Sequence, residues 1–118
     1  MDLKMYAYSG CGTCRKASKW LEANGLSATT LPIRETPPSR KELTRALSCV
    51  DSVRKLFNTS GGDYKEMGMK DRLPTLSDLE AIELLATHGN LVKRPFLLHP
   101  KGVLTGFDEA AWTRDLLA

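Results

Sequence analysis

The sequence predicts an α/β domain built on a four-stranded mixed sheet, in the order strand, helix, strand, helical insertion, strand, strand, helix. Three observations predict it. The apolar run Leu3 to Tyr8 passes through a Gly-containing turn directly into a stretch with apolar residues at helical spacing. Helical patterns then fill about 39–90, which makes this block an insertion between two β regions, not an alternating α/β repeat. Beyond it, two short apolar runs flank His99-Pro100-Lys101-Gly102, and a last helical stripe follows.

Composition narrows the class. At 118 residues the chain is expected to form a single domain, 1–118, large enough for a sizeable core. No apolar run approaches the ~18 to 20 residues of a membrane span, and Met1-Asp2-Leu3-Lys4 leads into a strand instead of a signal peptide. A cytoplasmic location is the expectation, with no membrane association. The net charge of +3 is spread along the chain, which gives direct nucleic-acid binding no support. Three cysteines, an odd number, argue against a secreted disulfide framework. A monomer with no bound cofactor and no metal is the working expectation.

Each element has its reason. Leu3–Tyr8, ended by Ser9-Gly10, reads as a first strand buried in the sheet. The first helix starts near Thr13, turns Ala17, Trp20 and Leu21 inward, and stops at Asn24-Gly25. Leu26–Arg34 reads as the second strand; Pro32 cannot donate to a ladder, so this strand belongs at the sheet edge. A strand, helix, strand order implies a parallel pair joined by a right-handed crossover. Thr36-Pro37-Pro38-Ser39 breaks the chain, and Ser39 with Glu42 is a capping-box pattern opening a helix to about Leu47. A further helical segment is expected over Val50–Phe57, and a short turn of helix over Asp63–Met67, with Met67 and Met69 as packing residues. Thr75 or Ser77 caps the next helix, whose apolar side is Leu79, Ile82, Leu84, Leu85 and Ala86, up to His88-Gly89-Asn90. Phe96–Leu98 and Val103–Thr105 form a hairpin, and Asp108–Leu117 closes with Ala111, Trp112 and Leu116 inward. His88 and His99 fall in turn-like segments and are assigned no chemical role. Cys49, between Leu47 and Val50 in a helical pattern, reads as a buried inert thiol.

The chemistry concentrates at Cys11-Gly12-Thr13-Cys14-Arg15-Lys16. A helix starting here leaves unpaired N–H groups and the positive dipole end at Cys11, with Arg15 and Lys16 adding charge. These favour a thiolate, so Cys11 is the candidate nucleophile. Cys14, at i+3, lies on the same face and can attack an adduct on Cys11. The competing readings are a zinc-ligand pair, which lacks a second pair at similar spacing, or two small core residues.

Together with Tyr64-Lys65, Leu73-Pro74-Thr75 and Lys93-Arg94-Pro95 before a strand, this motif resembles the ArsC/Spx family of glutaredoxin-like proteins over nearly the whole chain. The resemblance implies a thioredoxin/glutaredoxin-like fold, with the site at the first strand-to-helix turn and a cis Pro95 beside it. It implies an oxyanion site in which Arg94, Arg54 and the Gly12-Thr13-Arg15 turn face the thiolate. Arg94 reads otherwise as a solvated arginine and Arg54 as a helix-surface one. Arsenate reductases of the family carry a non-cysteine residue where Cys14 stands, and they present a third arginine where His99 to Gly106 offers Lys101. The implied activity is an arsenate-reductase-like thiol–disulfide exchange with glutathione as co-substrate and glutathione, glutaredoxin or thioredoxin as reductant. The Spx branch shares Cys-x-x-Cys and implies the alternative, a redox-sensing regulator that binds the RNA polymerase alpha subunit.

Overall fold

Four strands of four residues each carry the fold in the computed structural model, which describes residues 1–117. They are β1 (Lys4–Ala7), β2 (Thr29–Pro32), β3 (Phe96–His99) and β4 (Gly102–Thr105), in the sheet order β2-β1-β3-β4. β1 pairs parallel with β2, Lys4 opposite Thr29 and Ala7 opposite Pro32. It pairs antiparallel with β3, Tyr6 opposite Phe96, and β3 and β4 form the expected hairpin with Leu97 opposite Leu104. The Pro32 strand lies at the edge, where its missing N–H costs no ladder bond. The helices are α1 (Gly12–Ala23), α2 (Arg40–Leu47), α3 (Gly62–Glu66), α4 (Met69–Arg72), α5 (Asp78–Thr87) and α6 (Glu109–Leu116). This is the thioredoxin-like plan with α2 to α5 inserted.

Strand side chains alternate faces, so each strand feeds two cores. Met5, Ala7, Leu97 and Leu104 point to one face, where Cys14, Ala17 and Leu21 of α1 and Trp112 and Leu116 of α6 cover them. Tyr6, Phe96, Leu98 and Val103 point to the other, under Leu43, Tyr64, Met69 and Leu85 of the insertion. Trp112 stacks edge-on against Phe107 and Trp20, and its indole N–H donates to Gly106 O at 3.1 Å, so the buried polar atom is satisfied. Glu42 ties α2 to β1. Its carboxylate accepts from Tyr6 Oη at 2.7 Å, Lys4 Nζ at 2.8 Å and the Ser39 N–H at 2.9 Å, the last completing the capping box. Ser77, rather than Thr75, caps α5 through a second capping box with Glu80.

The structure corrects several expectations. The Val50–Phe57 helix shrinks to a 3-10 turn, Val53–Leu56, because the Ser52 hydroxyl accepts from Arg54 N–H and starts the turn late, while Phe57 leaves it to bridge Val92. β2 is four residues long because its one partner, β1, is. In α5 the inward stripe is Ala81, Ile82 and Leu85, and Leu79 is 80% exposed; its position is off the 81, 82, 85 spacing. Cys49 is exposed, not buried: it follows the α2 C-cap Ser48, and its thiol donates back to Arg45 O at 3.5 Å. His99 is no turn residue. It ends β3 fully inside the molecule, with Nδ1 accepting from Lys101 N–H and Nε2 3.6 Å from Asp115.

Candidate active site

β1 ends at Ala7, and Tyr8-Ser9-Gly10 turns the chain so that Cys11 becomes the N-cap of α1, with extended backbone at φ −92° and ψ 117°. Cys11 N–H donates to Tyr8 O at 3.0 Å, and Arg15 Nη1 braces the turn on Ser9 O at 2.9 Å. The thiol does what a serine or aspartate does at an ordinary cap: Cys11 Sγ accepts from Cys14 N–H at 3.2 Å. Gly12 and Thr13 are exposed in the first turn, where helix geometry leaves N–H groups without intrahelical acceptors. An anion at or beside Cys11 therefore meets donors and the positive helix end together.

The two thiols differ sharply. Cys11 is partly exposed, and Cys14 is 3% exposed in the core between α1 and the sheet. Burial works against a Cys11 thiolate, but hydrogen bonding from the Cys14 side chain and N–H, together with the Arg94 charge, outweighs it and holds the Cys11 thiol below its ordinary value. Burial pushes the Cys14 thiol up to about 12, with the neighbouring Cys11 sulfur adding to the rise. The pair therefore gives up its first proton from Cys11 and keeps the second on Cys14.

Arg94 and Pro95 enter from the start of β3. Their peptide bond is cis, Pro95 is buried, and Pro95 O accepts from Gly106 N–H at 2.8 Å. Arg94 is half-buried, with its guanidinium carbon 5.2 Å from the centre of the Tyr8 ring and its charge on the Cys11 side. Arg54 is placed differently. It is exposed on the 53–56 turn, lining a cavity of about 300 Å³ with Lys55, Phe57, Lys93 and Thr105. The structure thus brings together Cys11, Cys14, Arg15 and Arg94, while Arg54 lines a cavity shared with Lys93.

Two side chains at the site escape sequence reasoning. Tyr8 lies under both arginines of this end, Arg94 and Arg34, the latter with its guanidinium carbon 4.8 Å from the ring centre. Arg34 follows β2, and nothing in its sequence surroundings marks it. Gly10 leaves room for the ring: a Cβ there would sit 2.6 Å from it. A groove of about 460 Å³ beside the thiols is lined by Tyr8, Cys14, Arg15, Lys19, Leu31 and Pro32. Among the described residues no three of His, Cys, Asp and Glu gather as a metal group would.

A partly exposed activated thiol, a buried protonated thiol beside it and a cation alongside can carry out stepwise thiol exchange. Residues 6–114 match the ArsC family. The chain is 46% identical over 112 residues to the uncharacterised protein YusI of Bacillus subtilis, covering 92% of this chain and 93% of that one. It is 30% identical over 103 residues to an arsenate reductase of Rhizobium meliloti, covering 86% and 72%. It is 27% identical over 108 residues to the regulatory protein MgsR of B. subtilis, covering 91% and 84%. Among solved structures, an ArsC family related protein from Bacteroides fragilis superposes with a TM-score of 0.91 at 40% identity, over 97% of each chain. The arsenate reductase of Vibrio cholerae gives 0.77 at 26% identity, over 89% of each. With the thiol pair at the first helix start and Arg94-Pro95 against it, the chain belongs to the ArsC family.

Proposed function

We propose that this protein is a cytosolic thiol–disulfide oxidoreductase in which Cys11 is the nucleophile and Cys14 the resolving thiol. The observation that supports it is the asymmetry of the pair: a Cys11 thiol held low beside Arg94, and a Cys14 thiol buried behind it at about 12. The Cys11 thiolate attacks one sulfur of a disulfide substrate, whose S–S bond breaks and whose other sulfur leaves as a thiolate. Cys14 then gives up its proton and attacks the Cys11 sulfur, releasing the second thiolate and closing a Cys11–Cys14 disulfide. With arsenate, Cys11 displaces a hydroxyl from arsenic, and attack by Cys14 on the Cys11 sulfur sends the S–As electron pair to arsenic as arsenite. Arg94, Arg15 and the Gly12-Thr13 turn hold the anion in either case, with Arg54 on the flank. Glutathione, or a glutaredoxin or thioredoxin, supplies the two electrons that restore the dithiol.

The test is the rate of Cys11 alkylation against pH, followed by mass spectrometry. The Cys11 midpoint is expected below the ~8.5 of a free thiol; a midpoint at or above it overturns the assignment. In a Cys14→Ser variant a disulfide substrate should accumulate as a mixed disulfide on Cys11. A second reading rests on the 27% identity to the regulatory protein MgsR: a redox switch whose Cys11–Cys14 pair alters a surface for the RNA polymerase alpha subunit. Binding of alpha that depends on oxidation, with reduction of neither arsenate nor a disulfide, would favour it.

A further inference from the structure

Two guanidinium groups share one aromatic ring beside the thiolate. The Arg34 and Arg94 guanidinium carbons lie 4.8 Å and 5.2 Å from the centre of the Tyr8 ring, the distance at which the ring's negative face attracts a cation. Neither makes an ion pair with a carboxylate among the described residues, whereas Arg40 and Arg114 each hold one. Arg94 has the Cys11 sulfur to face, and Arg34 is left with the Tyr8 ring alone to offset the repulsion between the two like charges. The Tyr8 ring occupies space that only a glycine at position 10, one residue before the nucleophile, leaves open. Arg94 bears on Cys11, and Arg34 comes from the far side, beyond the edge strand β2. Arg34 is exposed, so its donors are open to solvent.

We infer that Arg34, mounted on Tyr8, is a carboxylate subsite: it binds an acidic group of the small thiol or disulfide whose sulfur reacts at Cys11, while Arg94 serves the reacting end. This rests on the reading of Cys11 as the nucleophile and adds the residue that receives the acidic end of such a substrate, so that it is preferred over a neutral or cationic thiol. Arg34 is the binding residue, and Tyr8 is a positioning residue that acts through the two arginines. A guanidinium can grip a carboxylate with two parallel N–H donors, an arrangement an exposed lysine does not reproduce.

The inference is tested by two measurements on the full chain. S-methylglutathione, whose sulfur cannot exchange, is titrated calorimetrically into the wild type and the Arg34→Gln, Arg34→Lys, Tyr8→Phe and Tyr8→Leu variants. R34Q is expected to weaken binding about tenfold, the scale of one charge-assisted contact, and to flatten its salt dependence, with R34K rescuing it in part. Y8F should keep the ring and the affinity, and Y8L should lose affinity as R34Q does. Second, the stoichiometric rate of Cys11 with glutathione disulfide is compared with that for uncharged hydroxyethyl disulfide. R34Q should slow the first about tenfold and leave the second unchanged. Equal slowing of both, or unaltered binding and rates, overturns the subsite. If wild-type Cys11 reacts with both disulfides no faster than a cysteine in a peptide, the nucleophile reading falls, and the titration still decides the role of Arg34.

Discussion

His99 shows how much a single side chain can set. Its imidazole is buried at the end of β3, with Nδ1 taking the Lys101 N–H and Nε2 lacking any hydrogen-bond partner among the described residues. Burial lowers its pKa first; the Asp115 carboxylate, 3.6 Å away, raises it, and Arg45 and Lys101 lower it further, leaving the net below the ordinary value. The unfolded chain therefore binds this proton more readily than the folded one, and stability falls as pH drops through the ordinary histidine value of ~6.5. Urea midpoints measured from pH 8 to pH 5 should decline, and His99→Gln should flatten that part of the curve; a decline of equal size in the variant places the effect elsewhere. The residues that make the site differ in how readily sequence reveals them. Cys11 and Cys14 announce themselves by spacing, because both constraints, helix start and i+3, are local. Tyr8 and Arg34 do not, since their meeting depends on the β2 edge folding back beside β1, a contact across 26 positions.

At the scale of elements, helix starts are the most legible feature. Ser39 and Ser77 each stand three residues before a glutamate, and both form full capping boxes because the donor and acceptor are fixed by local geometry alone. The Leu79 expectation fails because a ten-residue helix shows too few turns to fix which way its stripe faces, and the Cys49 expectation fails because α2 ends at the Ser48 cap before reaching it. The insertion also meets the sheet at a point no local signal marks. Gly89, after α5, lies so close to the end of β2 that a Cβ would be 1.8 Å from Ile33 O, a backbone atom that cannot swing aside. Gly89→Ala should cost about 2–3 kcal/mol, as overpacking does. Gly62→Ala, at the start of α3 with nothing within 4 Å of its Cβ, should be neutral or slightly stabilising. Chemical denaturation of both variants checks the pair, and equal effects would remove the claim that this contact locks the insertion to β2.

Over the whole molecule, the sheet separates two kinds of cover. The face under α1 and α6 holds Cys14, both tryptophans and Phe107, and the face under the insertion holds the tyrosine and phenylalanine contacts Tyr6–Phe96 and Phe57–Tyr64. The thiol pair sits where the first of these layers reaches the surface, so one sulfur faces solvent and the other belongs to the core. That division has a consequence in protons. In the proposed cycle, reduction of the Cys11–Cys14 disulfide delivers two electrons, and the reduced pair keeps the Cys14 proton at any pH below about 12, whereas Cys11 loses its own above a lower midpoint. From the Cys11 midpoint upward each two-electron reduction therefore takes up one proton, and the midpoint potential should fall by about 30 mV per pH unit. Below that midpoint it takes up two, and the slope should double. A redox titration against glutathione or dithiothreitol buffers across this range reads the break directly, and a slope that stays at the two-proton value up to pH 9 would mean that Cys11 is not the acidic partner. The core beneath the helix start thus acts as a proton store: every electron pair that passes through Cys11 draws one proton into the protein interior and returns it on the next turn.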